Sequence, residues 1–141
     1  MQTVRVIFLL GVPQNKGIAI FAGIKPDWSI NHNCMISFAQ VISANGYVPG
    51  FIANTDSSKN FNFDRQCSYY VQATKDTDCL GAVFGATEPK LDGMPEKWAP
   101  YCPSALKPED ISLWVCGATA FDSLSVEDVY SASENIIAKM W

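Results

Sequence analysis

Apolar residues along the chain fall into short continuous runs separated by stretches with helical spacing. Val4 to Leu10, "VRVIFLL", is β-branched and apolar and reads as a buried strand or the end of a helix. "GVPQNKG" is a turn-rich connector, and Ile18 to Ile24, "IAIFAGI", is a second continuous run. Continuous rather than alternating patterning is what a strand covered on both faces shows. Pro26 stops it. Ile30 to Asn45 then places Ile30, Cys34, Phe38, Val41 and Ile42 on one helical stripe, with Ser29 as N-cap and Gly46 as C′ residue. Tyr47 to Asn54 predicts a strand with a proline near its start, and "TDSSKN" a loop. Phe61 to Thr74 predicts a helix with Phe63, Cys67, Tyr70 and Val71 on one face, and Cys79 to Thr87 a strand.

From Glu88 to Asp110 no period holds, and prolines stand at 89, 95, 100, 103 and 108. That is long for a connection, and long ordered loops are often functional. "ISLWVCG", Ile111 to Gly117, predicts a strand and "ATAFDSLS" a loop. Ser125 then caps a final helix with early acids and Lys139 late, as the helix dipole prefers. Strands alternating with helices predict an α/β fold with a mainly parallel sheet, its helices carried on the faces by right-handed crossovers.

The totals narrow the picture. A chain of 141 residues predicts one domain, 1–141, around a single core. The apolar fraction is 48%, charged residues are only 17%, and the net charge is −4 with no basic cluster. The electrostatic footprint of a nucleic-acid binder is therefore missing. No stretch reaches transmembrane length, so no membrane span is expected. The apolar run at the amino terminus is short for a signal peptide; a removed leader and a fragment both stay open. Five cysteines, Cys34, Cys67, Cys79, Cys102 and Cys116, include no C-x-x-C. With His32 the only histidine, neither a metal site nor a cofactor is expected. Scattered cysteines fit an oxidising, extracellular setting with disulfides, and fit equally well buried thiols acting as small hydrophobes. An odd thiol is left over in any pairing scheme.

Four segments carry a resemblance: "GYVPGFIAN" (Gly46 to Asn54), "FGATEP" (Phe84 to Pro89), "LWVCG" (Leu113 to Gly117) and "VEDVY" (Val126 to Tyr130). Together with the proline-rich "WAPYCPSALKP", they resemble the glycoside-hydrolase-like domains related to family-25 lysozymes and to domain-of-unknown-function group 1906. The likeness runs roughly from Gly17 to Tyr130. It implies a lysozyme-like, TIM-barrel-like ancestry with a glycan as ligand. The family's acid at the end of an early strand falls near Ile24, where this chain reads "GIKPDW" and only Asp27 is close. A closed barrel needs about 250 residues, and the shortest about 200. The expected architecture is thus a partial or reduced barrel whose exposed strand edges invite self-association or assembly with another chain.

Glycoside hydrolysis uses two carboxyls flanking the bond, about 5 Å apart for retention and further for inversion. Acids at the carboxyl ends of parallel strands suit it, because ligands bind at that edge. Three stand there by sequence: Asp27, Asp56 and Glu88. Glu88 with Asp27 is the first pairing, and Asp56 the substitute. Two have plain structural readings too: Glu88 as a partner of Lys90 or a cap for the loop backbone, and Asp27 as a cap for the next helix. Trp28, Trp98 and Tyr101 are candidates for stacking on sugar rings, and Trp114, inside a strand, reads as packing for the long loop. No P-loop, dinucleotide fingerprint or nucleophile elbow is present. Two functions follow from the resemblance. One is a secreted structural or glycan-binding protein without catalysis; the other is an active lysozyme-like hydrolase.

Overall fold

The computed structural model describes residues 10–24, 30–53, 62–88, 96–121 and 124–140, with side chains described for all of these except 117–121 and 124–128. The run Val4 to Leu10, Asp27, Trp28, Asp56 and the loop "TDSSKN" fall outside them, except for Leu10, which lies in a turn. The elements in chain order are β1 (Ala19–Ile24), α1 (His32–Ala44), β2 (Val48–Ala53), α2 (Asn62–Thr74), β3 (Val83–Thr87), β4 (Ile111–Phe121), β5 (Leu124–Ser131) and α3 (Glu134–Ile137). The protein is α/β, with a five-stranded sheet in the order β1-β2-β3-β4-β5. β1 to β4 are parallel, and β5 returns antiparallel to β4.

That serial order is the winding of a barrel. Each parallel strand is added on the same side of the last, so right-handed crossovers put α1 and α2 on one face. The core confirms the layering. Met35 and Ala39 of α1 and Phe63, Cys67 and Tyr70 of α2 pack with Phe51, Phe84, Ala86, Trp114 and Cys116 of the strands. These strand residues keep one parity, as the pairs Phe51↔Phe84 and Ala86↔Trp114 require. The opposite face is crowded by curvature. A Cβ on Gly50 would lie 2.6 Å from Phe21 Cδ1, and one on Gly85 would lie 2.9 Å from Ile52. Each large side chain lies over the glycine of the next strand, the alternation that a curling sheet needs on its inner side.

Local chemistry sets the ends of the elements. α1 is capped by Asn31, whose side chain accepts from the Asn33 N–H at 2.8 Å, two residues later than the expected Ser29. Gly46 has φ +80°, as its C′ position demands, and a Cβ there would meet Asn15 Oδ1 at 2.4 Å. Asn15 N–H donates to Gly46 O at 2.8 Å, which ties the connector to this turn. β2 carries Pro49 although it is a central strand. Val48 N–H bonds β1 through Ile18 O, so the Pro49 nitrogen faces β3, and that pairing begins only at Gly50. No ladder bond is lost.

Two expectations about elements are corrected. The strand expected from Cys79 begins only at Val83. Asp78, Cys79 and Leu80 instead take φ of 50°, 54° and 56°, and Gly81 follows at 71°. This left-handed turn costs about 1–2 kcal/mol per non-glycine residue. Tyr70 Oη–H donates to Cys79 O at 2.6 Å and Ser43 Oγ–H to Leu80 O at 3.4 Å, which hold it. The second correction is at the carboxyl end. Residues 118–121 of the expected loop are the end of β4, Leu124 and Ser125 open β5, that strand stands where a helix was expected from Ser125, and α3 is a single turn. β-branched and aromatic residues in "LSVEDVYS" suit a strand, and pairing it to β4 satisfies an edge that a helix would leave open.

Candidate functional site

Glu88 follows the last residue of β3, at the carboxyl edge of the parallel strands, and its own N–H continues the ladder to Val115 O at 2.8 Å. It stands two residues after Ala86 and so keeps the parity of the face that packs against the helices. Ala86 pairs with Trp114. That pairing brings the Trp114 indole to the carboxylate: Trp114 Nε1–H donates to Glu88 Oε2. Tyr101 N–H donates to the same oxygen at 3.2 Å. Hydrogen bonds to an ionised acceptor are the stronger kind. The half-buried carboxylate therefore joins β3, β4 and the proline-rich loop at one point.

The loop is held at further points. Trp98 packs edge-to-face on Trp114, with ring centroids 5.4 Å apart, and its Nε1–H donates to Pro108 O at 3.0 Å. Ser104 N–H and Oγ–H both donate to Asp64 Oδ1, at 2.6 and 3.0 Å, which fastens the loop to the first turn of α2. Cys102 Sγ–H donates to Leu106 O at 3.3 Å across a tight turn. The Tyr101 side chain is left 54% exposed beside Glu88. Cys116 is buried next to the site; burial pushes its thiol pKa up, and the Glu88 charge adds to this.

The structure thus brings Glu88, Tyr101 and Trp98 together, while Asp27, Asp56 and Trp28 lie outside the described residues. Trp98 is occupied in packing with Trp114; Tyr101 presents its ring to solvent. The residue that reading the sequence alone missed is Trp114 as a donor to Glu88. Its signal is register: Ala86, two residues before Glu88 on the same face, pairs with Trp114 of the adjacent strand. All five cysteines are free thiols. Among the described residues no group of three or more His, Cys, Asp or Glu side chains could hold a metal ion. No described helix is long and apolar enough to cross a membrane.

No protein-family model and no curated protein matches the chain. Among solved structures, the chain is similar to an uncharacterized protein from B. stearothermophilus, with a TM-score of 0.76 and 18% identity over 99% of its own length. It spans 63% of the length of that structure. At this identity the likeness is one of fold: an α/β fold with a mostly parallel sheet flanked by helices.

Proposed function

We propose that this chain is a secreted glycan-binding or structural protein, built on a glycosidase-like scaffold, that works without catalysis and associates with itself or with another chain. The observation that supports it is the employment of Glu88. Its Oε2 receives both the Trp114 indole N–H and the Tyr101 backbone N–H, so the best placed acid of the chain serves to anchor the loop. Beside it, the exposed Tyr101 ring offers the apolar face on which sugars stack. Self-association is supported at β1, the edge strand among the described residues, where Ile137 and Met140 flank the Lys139 contact and stay 55% and 52% exposed.

A second reading, a lysozyme-like hydrolase using Glu88 with Asp27 or Asp56, is supported by the same acid's place at the carboxyl edge, where such folds carry their chemistry. Turnover of peptidoglycan and of chitin oligomers by the protein and by Glu88→Gln separates the two. Oligosaccharide binding without turnover is expected. Turnover that Glu88→Gln abolishes overturns the first reading in favour of the second. Light scattering tests association, and a monodisperse monomer overturns that part.

A further inference from the structure

The sole histidine is the first residue of α1, and its tautomer can be deduced. Gln66 of α2 accepts the His32 backbone N–H at 2.9 Å, and an amide N–H can only donate, so the acceptor is the Gln66 carbonyl oxygen. The same Oε1 lies 3.1 Å from His32 Nδ1. An oxygen that can only accept obliges Nδ1 to carry the proton. In the neutral ring Nε2, at the far corner, then keeps its lone pair as an acceptor. Among the described residues nothing bonds Nε2.

The ring is also fixed in place. Tyr69 meets it edge-on, with centroids 5.3 Å apart and planes at 66°. His32, Tyr69, Gln72 and Ala73 line one pocket of about 340 Å³. That is near the lower end of the 300–1,000 Å³ typical of small-molecule sites. Tyr69 is 46% exposed. Among the described lining residues none is a lysine, arginine, aspartate or glutamate. The set comprises a fixed acceptor, a side-chain amide able to donate and accept, and an exposed aromatic surface. It fits a neutral molecule that has hydroxyl donors around an apolar C–H face.

We propose that the His32–Tyr69 pocket, between α1 and α2 and not lined by Glu88, Tyr101 or Trp114, is a second saccharide-binding site. A sugar hydroxyl donates to His32 Nε2, a second polar group of the sugar meets the Gln72 amide, and a pyranose C–H face lies on Tyr69. The ligand class rests on the glycan-binding reading; the pocket itself does not depend on Glu88.

One NMR titration of the full chain with chitotetraose tests both. The single imidazole reports the pocket without ambiguity, and the Trp114 indole N–H reports the Glu88 edge. The His32 ring resonances are expected to shift saturably, Tyr69→Ala to weaken that response at least tenfold, and Tyr69→Phe to retain it. A shift at Trp114 with none at His32 overturns the second site and leaves the glycan reading standing. Silence at both reporters overturns both. An equal His32 response to sorbitol, which has hydroxyls but no ring face, overturns the assignment to a saccharide.

Discussion

Trp114 joins the candidate site to the core with two different parts of one side chain. Its ring is buried in the core against Trp98, and its N–H serves Glu88. Trp114→Phe keeps most of the ring and removes the donor. The half-buried carboxylate then loses a partner, which costs about 1–3 kcal/mol. Urea denaturation is expected to show a loss of this size, and faster amide exchange at Tyr101 is expected to show the loop loosening. Cys67 lets a second residue be read through pH. It is fully buried, and its thiol is pushed from an ordinary 9.0 to about 12, by burial first and by the Asp64 charge next. A raised pKa means the unfolded chain gives up this proton first. The contribution is whole below pH 9 and is lost as the pH rises towards 12, at a slope of about 1.4 kcal/mol per unit. Cys67→Ser or Cys67→Ala is expected to flatten the alkaline fall in stability measured by urea titration from pH 8 to 11. An unchanged slope in these variants removes Cys67 as its cause. Glu88 was legible in the sequence as an acid ending an apolar run and as a cap for the loop backbone, whereas its bond from Trp114 was not. That required knowing that Ala86 faces Trp114, a cross-strand register that no local pattern encodes.

At the scale of elements, α2, β1 and β2 stand where their apolar runs place them, whereas α1 forms where expected but buries Met35, Ala39 and Ile42 and leaves Cys34 of the expected stripe exposed; two further segments change element altogether. The two departures have the same physical origin, tertiary hydrogen bonds overriding local propensity. "CLG" is apolar enough for a strand, yet the Tyr70 hydroxyl takes the Cys79 carbonyl and holds the backbone in the left-handed region. "LSVEDVYS" carries helix-like charges, yet the open edge of β4 claims it. The turn at 78–81 lets this be tested. Tyr70→Phe keeps the packing against Phe51 and Phe84, whose centroids lie 5.2 and 6.4 Å away, and deletes only the hydroxyl. About 0.5–1.5 kcal/mol of stability should go with the bond. Because the bond restrains a strained turn, the half-buried Cys79 thiol is also expected to alkylate several-fold faster with iodoacetamide. A stability loss with no change in Cys79 reactivity would mean that the turn is held by its neighbours instead.

For the whole molecule, the question is what ties together the strands of an open sheet wound in serial order. That the strands are parallel followed from their alternation with helices; that they pair in serial order did not, since a doubly wound sheet alternates in the same way. The carboxyl-terminal segment makes the difference visible. Ala132 N–H bonds Ser112 O at the start of β4, and seven residues later Lys139 O accepts from Ala19 N–H at the start of β1, each at 2.9 or 2.8 Å. Those strands stand three spacings apart, about 14 Å in a flat sheet. The segment therefore ties the first parallel strand to the last across their amino-terminal ends, opposite the Glu88 edge. Ile136 is its buried residue, 3% exposed in the middle of the crossing. If the tie supports the sheet as a whole, Ile136→Ala removes a buried side chain and costs about 2–5 kcal/mol in global unfolding. The Ala19 amide, whose acceptor it helps to hold, should lose protection against hydrogen exchange in the same variant. If the crossing frays on its own, Ala19 loses protection while the urea midpoint stays near that of the parent protein. The first outcome is expected, because β1 has no other hydrogen-bonded neighbour on that side at Ala19 among the described residues.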